Sequence, residues 1–129
     1  MEGQVQYVKA CLLNEDTKLF GIFDSKKHIG NIQINGLLSI HRCAELTYVI
    51  GDKSYWGKGV ASYAISETIK KCTNEYKLNK LIAGLAKDNV GSAKVLEKNG
   101  FKLEGVRKNH LFYNGHFHDQ HDYGLILKK

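Results

Sequence analysis

Apolar and polar positions change their period in blocks along the chain. Val5, Val8, Leu12 and Leu13 follow a partial helical period, which predicts a short amphipathic helix over Val5 to Leu13, broken by Asn14-Glu15-Asp16. Leu19 to Phe23 reads as a strand, Asp24 to Lys27 as a turn, and Ile29 to Ile34 as the return strand of a hairpin. Asn35-Gly36 signals a bulge or turn, after which Leu37 to His41 either extends the strand or forms a loop. Ala44 to Ile50 is a third strand, with Leu46, Tyr48 and Ile50 on one face and Glu45, Thr47 and Val49 on the other.

A glycine-rich stretch, Tyr55 to Ala61, then opens a helix over Ser62 to Lys71. Ala61, Ala64, Ile65, Thr68, Ile69 and Cys72 recur at helical spacing and should pack on a sheet. Leu81 to Ala86 is a short apolar run of the kind buried in a parallel strand. Asp88-Asn89 can cap a second helix, which Asn99-Gly100 ends with a left-handed residue. Phe101 to Val106 and His118 to Leu127 form a closing strand pair, with a turn signal at Asn114-Gly115 between them. This order predicts an α+β fold with a mixed, mostly antiparallel central sheet and flanking helices, in one domain over residues 1–129.

Composition narrows the function classes. A chain of 129 residues buries about two-thirds of its unfolded surface, and 43% hydrophobic with 25% charged residues is ordinary for a globular domain. No apolar run is long enough for a membrane span and Met1-Glu2-Gly3-Gln4 has no signal-peptide pattern, so a cytoplasmic location away from membranes is expected. Cys11, Cys43 and Cys72 are odd in number, widely spaced and without a C-x-x-C, and read as reduced thiols. The net charge of +6 suits anionic partners. Only Arg42 and Arg107 could supply the guanidinium forks that read bases, so nucleic acid is not the expected partner.

Tyr55-Trp56-Gly57-Lys58-Gly59-Val60-Ala61 joins a strand to a helix start, where backbone N–H groups can converge on a phosphate. Gly57 and Gly59 can take positive φ, Lys58 adds a cation, and the helix adds its positive end. A plain strand-to-helix turn is the competing reading. The stretch lacks the nucleotide P-loop pattern and also G-x-G-x-x-G, because Ser62 stands where the third glycine would be.

The loop resembles the acetyl-CoA pyrophosphate loop of GNAT-type N-acetyltransferases, Gln/Arg-x-x-Gly-x-Gly/Ala, with Trp56 at the Gln/Arg position. Its W-G-K-G-x-A form is similar to the branch containing the ribosomal-protein N-acetyltransferases. Asn89-Val90-Gly91-Ser92 followed by Leu96-Glu97-Lys98-Asn99-Gly100-Phe101 resembles that branch's second block. The resemblance implies acetyl-CoA held in a pair of parallel strands that splay apart near Ile50 and Ala86. Backbone groups of Val49 and Ile50 would pair with the pantetheine arm. Trp56, Gly57, Lys58, Gly59, Val60 and Ala61 would form the pyrophosphate loop, and Asn89 would hydrogen-bond the cofactor or simply cap its helix. It further implies that the branch's first strand and helix are absent here, leaving the domain short at its N-terminus and the acceptor half of the site in question.

The implied reaction is direct attack of a primary amine on the thioester: a protein α-amine, an amino sugar or a small metabolite. Strand amides near Val49 would stabilise the oxyanion, and alignment of two substrates would supply much of the rest. Many family members place a Tyr acid just before the Glu of the last helix, where this chain has Leu96. Ser92 is therefore the candidate acid, against a reading as a helix-surface or backbone-bonding serine. Glu45 is the candidate base, against a solvated strand carboxylate, and Tyr48 is read as packing. His118 and Asp119 are assigned to the acceptor pocket, against a surface role. The cluster of His116, His118, His121, Asp119 and Asp122 is not read as a metal site, because His121 would point away from the other two histidines in a regular strand. Three readings of the short N-terminus stay open: a natural truncation, an incomplete sequence, or an oligomer such as a homodimer whose partner fills the gap. The rival function is a weak or inactive CoA-binding module acting through such assembly.

Overall fold

The computed structural model describes residues 7–12 in backbone, and residues 15–51, 53–57 and 59–127 in full. Strands β1 (Tyr7–Leu12), β2 (Thr17–Asp24), β3 (Lys27–Asn35), β4 (Cys43–Ile50), β5 (Lys80–Ala86), β6 (Lys102–Tyr113) and β7 (His116–Ile126) form one sheet in the order β1-β2-β3-β4-β5-β7-β6. Helix α1 (Val60–Asn74) links β4 to β5, and α2 (Val90–Lys98) links β5 to β6. Every neighbouring pair is antiparallel except β4 with β5. The expected α+β architecture and mixed sheet are present.

The first expected element differs. Residues 7–12 form an edge strand paired antiparallel with β2, from Tyr7 opposite Phe23 to Leu12 opposite Lys18, instead of a helix. Val8, Ala10 and Leu12 also alternate, and a neighbouring strand with open hydrogen-bonding groups decides between two short periods. Val5, Leu13 and Asn14 lie outside the described residues. Leu37 to His41 is a loop, pinned where Asp16 O accepts from the N–H groups of Gly36 and Leu37.

Alternation sets the layers. Phe20, Ile22, Ile32, Ile34, Ala44, Leu46 and Leu81 are buried against Val60, Ala64, Ile65, Cys72 and Leu96 of the helices. Asn99 at the end of α2 donates from Nδ2 to Ser62 Oγ at 3.2 Å and to Val95 O at 3.0 Å, so both helices lie together on one face. On the reverse face of β4, Glu45 and Thr47 are exposed and Val49 is 56% exposed. The closing pair is longer than expected, with Asn114 and Gly115 at φ 52° and 76° making its tight turn.

The one parallel pair positions the site. It runs from Cys43 opposite Lys80 to Glu45 opposite Ile82 and stops, while β4 continues to Ile50 and β5 to Ala86. Past Glu45 the two strands part. The sheet therefore carries a built-in gap that opens towards the starts of both helices.

Candidate functional site

A cleft of about 440 Å³ lies at the mouth of that gap. One wall is the end of β4 (Tyr48, Val49, Ile50); the floor is Trp56, Gly57, Gly59 and the first turn of α1; the other wall is the start of α2, with Asn89 and Ser92.

The floor is shaped for an anion. Gly57 and Gly59 have φ of 74° and 78°, the left-handed region that glycine enters without a Cβ penalty. Gly59 is the N-cap of α1, no side chain among the described residues caps it, and the first turn of α1 contains no acidic residue. The leading N–H groups of a 15-residue helix thus end at the cleft with no carboxylate in their own turn to offset them. Lys58, assigned to the same loop, lies outside the described residues. Trp56 holds the loop to the strand, its Nε1–H donating to Ile50 O at 2.7 Å, and Lys53 Nζ sits 5.8 Å from its ring centroid. Tyr55 donates from its hydroxyl to Asp24 on β2, tying the loop to the hairpin as well.

The start of α2 is capped, unlike that of α1. Asn89 Oδ1 accepts from Ser92 N at 3.2 Å. This is the capping role the sequence allowed, and it holds Ser92 against the cleft. Tyr48, read from sequence as packing alone, also lines the cleft with Ser92. Burial pushes its phenol above the ordinary value, and the Ser92 contact offsets that only partly. Its alternation with buried Leu46 and Ile50 signals an inward side chain; the sequence gives no sign that it shares a cleft with α2.

Glu45 stands elsewhere. It belongs to the last β4–β5 pair, is exposed on the reverse face, and is not among the residues lining the cleft. Val49 bridges the two sides, because it also borders an open hollow of about 530 Å³ on the reverse side with His28, Asn31 and Lys53.

His118 and Asp119 lie on the part of β7 that runs past the end of β5. His118 stacks on Tyr113 with centroids 3.7 Å apart, its Nε2 lies 3.1 Å from Tyr113 O, and its Nδ1 lies 3.6 Å from Asp88. Asp119 Oδ1 accepts from Asn109 N at 2.9 Å, where β6 bulges with Asn109 at φ 50°. That hydrogen bond holds the Asp119 carboxyl below its usual range. Both residues are engaged in shaping the hairpin and stand beside, not in, the cleft. Among the described residues no group of three His, Cys, Asp or Glu side chains could hold a metal ion, and no helix is long and apolar enough to cross a membrane.

A family model described as an acetyltransferase (GNAT) domain matches residues 2–102. The chain belongs to the GNAT acetyltransferase family. This GNAT chain is 32% identical over 110 residues to the ribosomal-protein-serine acetyltransferase of Escherichia coli, covering 85% of itself and 61% of that protein. It is 33% identical over 103 residues to the uncharacterised N-acetyltransferase YoaA of Bacillus subtilis, covering 80% of itself and 58% of that protein. It thus spans less than two thirds of the length of these relatives. Among solved structures, the spermidine N-acetyltransferase of Vibrio cholerae in complex with CoA and spermine matches with a TM-score of 0.82 at 25% identity, over 88% of this chain and 67% of that one. The same V. cholerae enzyme has also been solved as a dodecamer.

Proposed function

We propose that this GNAT chain transfers an acetyl group from acetyl-CoA to a primary amine. The observation that carries the reading is the splayed β4–β5 pair with the uncapped start of α1 at its mouth. A gap in a sheet accepts an extended arm, and free helix N–H groups accept a pyrophosphate. Gly57, Gly59, Val60 and Ala61 hold the pyrophosphate with Lys58, and Trp56 fixes the loop. Backbone groups of Val49 and Ile50 pair with the pantetheine arm, with Asn89 and Ser92 facing it across the cleft.

The helix side of the gap is taken up by the cofactor, so the amine approaches over Val49 from the reverse face. Glu45 stands on that face, two strand positions from Thr47 and four from Val49, and serves as the base directly or through water. Ser92 takes part in proton delivery to the leaving thiolate. His118 and Asp119 border the acceptor through the hairpin they shape.

The acceptor is a protein α-amine, an amino sugar or a small metabolite. Two Escherichia coli relatives are named for ribosomal-protein serine and ribosomal protein uS5 alanine, and the V. cholerae structure holds spermine. A net charge of +6 favours a neutral or acidic acceptor over a polyamine. The reaction is cytoplasmic, without metal, membrane or nucleic acid, and the chain assembles as a homodimer.

Calorimetric titration with acetyl-CoA, a light-scattering mass and a thiol-release assay over a panel of amines test this together. Micromolar binding with thiol release on one amine class is expected. A folded chain that neither binds acetyl-CoA nor releases thiol would remove the reading.

A further inference from the structure

The gap in the sheet has a second side, the reverse face, where the last paired residues are Glu45 on β4 and Ile82 on β5. The next residue of β5 on that face is Gly84, exposed and just past the fork. Gln120 of β7 lies over it: a β-carbon on Gly84 would stand 2.6 Å from Gln120 Nε2 and 3.1 Å from its Cδ. Asp122 holds the amide there, its Oδ1 accepting from Gln120 Nε2 at 2.8 Å while its Oδ2 accepts from Arg107 Nε at 2.7 Å. An ionised carboxylate only accepts, so the NH2 end of the amide is turned to Asp122 and Oε1 is turned away from it. Among the described residues nothing donates to that oxygen.

We infer that Gln120 Oε1 accepts a hydrogen bond from the amine that attacks the thioester, with Asp122 as the positioning residue that sets the amide's orientation. This rests on the acetyl-transfer reading above. Glu45 stands across the fork on the same face, so the nucleophile meets two acceptors at once. A neutral primary amine has two N–H groups and a lone pair: it gives one hydrogen to Gln120, one to Glu45 or a water beside it, and its pair to the acyl carbon. A hydroxyl or a secondary amine has a single hydrogen and satisfies only one of the two. The nitrogen bonds to the acyl carbon, the carbon–sulfur bond breaks with its electron pair going to sulfur, and the surplus proton on nitrogen passes to Glu45 directly or through water. Nitrogen gains positive charge on the way, so its bond to Gln120 is stronger in the transition state than before it.

The test uses the whole chain, with alaninamide as a minimal primary amine and N-methylalaninamide as its secondary counterpart, read by thiol release. Gln120→Leu keeps side-chain bulk over Gly84 and removes the oxygen. It should lower kcat/KM for alaninamide about tenfold and narrow the preference over N-methylalaninamide, while the Kd for acetyl-CoA holds, because Gln120 does not line the cofactor cleft. Asp122→Ala should lower kcat/KM about threefold, and the double variant should be no slower than Gln120→Leu alone, since Asp122 acts through that amide. Unchanged kcat/KM in Gln120→Leu, an unmoved preference, or a parallel loss of acetyl-CoA affinity would each overturn the proposal. If Gln120→Leu does not fold, Gly84→Ala decides: its β-carbon displaces the amide without removing it, and alaninamide turnover equal to wild type overturns the proposal. If neither amine releases thiol, calorimetric titration of alaninamide into the CoA-saturated chain separates the two readings. Binding that Gln120→Leu weakens keeps the amine site and rejects acetyl transfer; binding that it leaves alone, or none in the wild type, overturns the proposal.

Discussion

The carbonyl oxygen of Val49 lies 2.5 Å from where a β-carbon on Gly30 would stand, with Ile50 Cα at 3.1 Å. Gly30 pairs with Ile50 across β3 and β4, so this close approach fixes the end of the strand that walls the cleft. The contact is with backbone, which cannot swing aside. Gly30→Ala should therefore cost about 1–3 kcal/mol through overpacking, although alanine in a strand normally gains on glycine. The denaturant midpoint should fall and acetyl-CoA affinity should fall with it. A variant as stable as the wild type would mean that β3 and β4 can separate freely at this point.

Trp56 gives a second handle on the loop. Its side chain is 57% exposed, so its contribution is less burial than the bond to Ile50 O. Trp56→Phe keeps an aromatic surface and removes the donor. A neutral hydrogen bond is worth about 1 kcal/mol, so acetyl-CoA affinity should weaken about fivefold with a small drop in melting temperature. Calorimetry reads both. Equal affinities would show that the cradle keeps its shape without the bond.

The parts of this fold readable in the sequence were those with strong local signals. The Asn99-Gly100 stop is an example: Gly100 has φ 93° and Leu96 O accepts from Phe101 N. Asn89 as a cap and Asn114-Gly115 as a hairpin turn were legible for the same reason. Residues 7–12 were not, because a six-residue strand at a sheet edge takes its state from its neighbour β2 more than from its own period. The cleft was legible as a loop motif. The meeting of Tyr48 and Ser92 in its lining was not, since they stand 44 positions apart and their separate patterns read as strand packing and a helix start. His118 and Asp119 carry chemistry-bearing groups, but the bulge at Asn109 that engages Asp119 has no sequence signature of its own.

Asn89 has two roles that one substitution separates. As a cap, its Oδ1 accepts from Ser92 N. Asn89→Ala should cost about 1 kcal/mol of stability and let Ser92 drift from the cleft. Asn89→Asp keeps a capping oxygen and adds a charge that suits a helix start, so stability should hold. The same charge beside a phosphate-bearing ligand should weaken acetyl-CoA binding. Undiminished affinity in Asn89→Asp would leave Asn89 as a cap and nothing more.

Cys72 sets an alkaline limit on stability. It is fully buried in α1, and burial pushes its thiol from 9.0 up to about 12. In the unfolded chain the thiol loses its proton near its ordinary value, while the folded chain keeps it. Above pH 9 the unfolded state thus binds fewer protons, and stability falls as pH rises towards 12, by up to about 1.4 kcal/mol per unit. Below pH 9 the contribution is fully present. The half-buried phenol of Tyr48, also raised, acts in the same direction from about pH 10 upward. Cys72→Ala should be less stable than the wild type at pH 7, because it leaves a small cavity, and the gap should narrow between pH 9 and 11. Denaturant unfolding at pH 7, 9 and 10.5 reads this directly, and a gap that stays constant would remove Cys72 as the cause. At pH 8 the half-buried Cys43 should take up iodoacetamide well before Cys72, as peptide mass mapping would report.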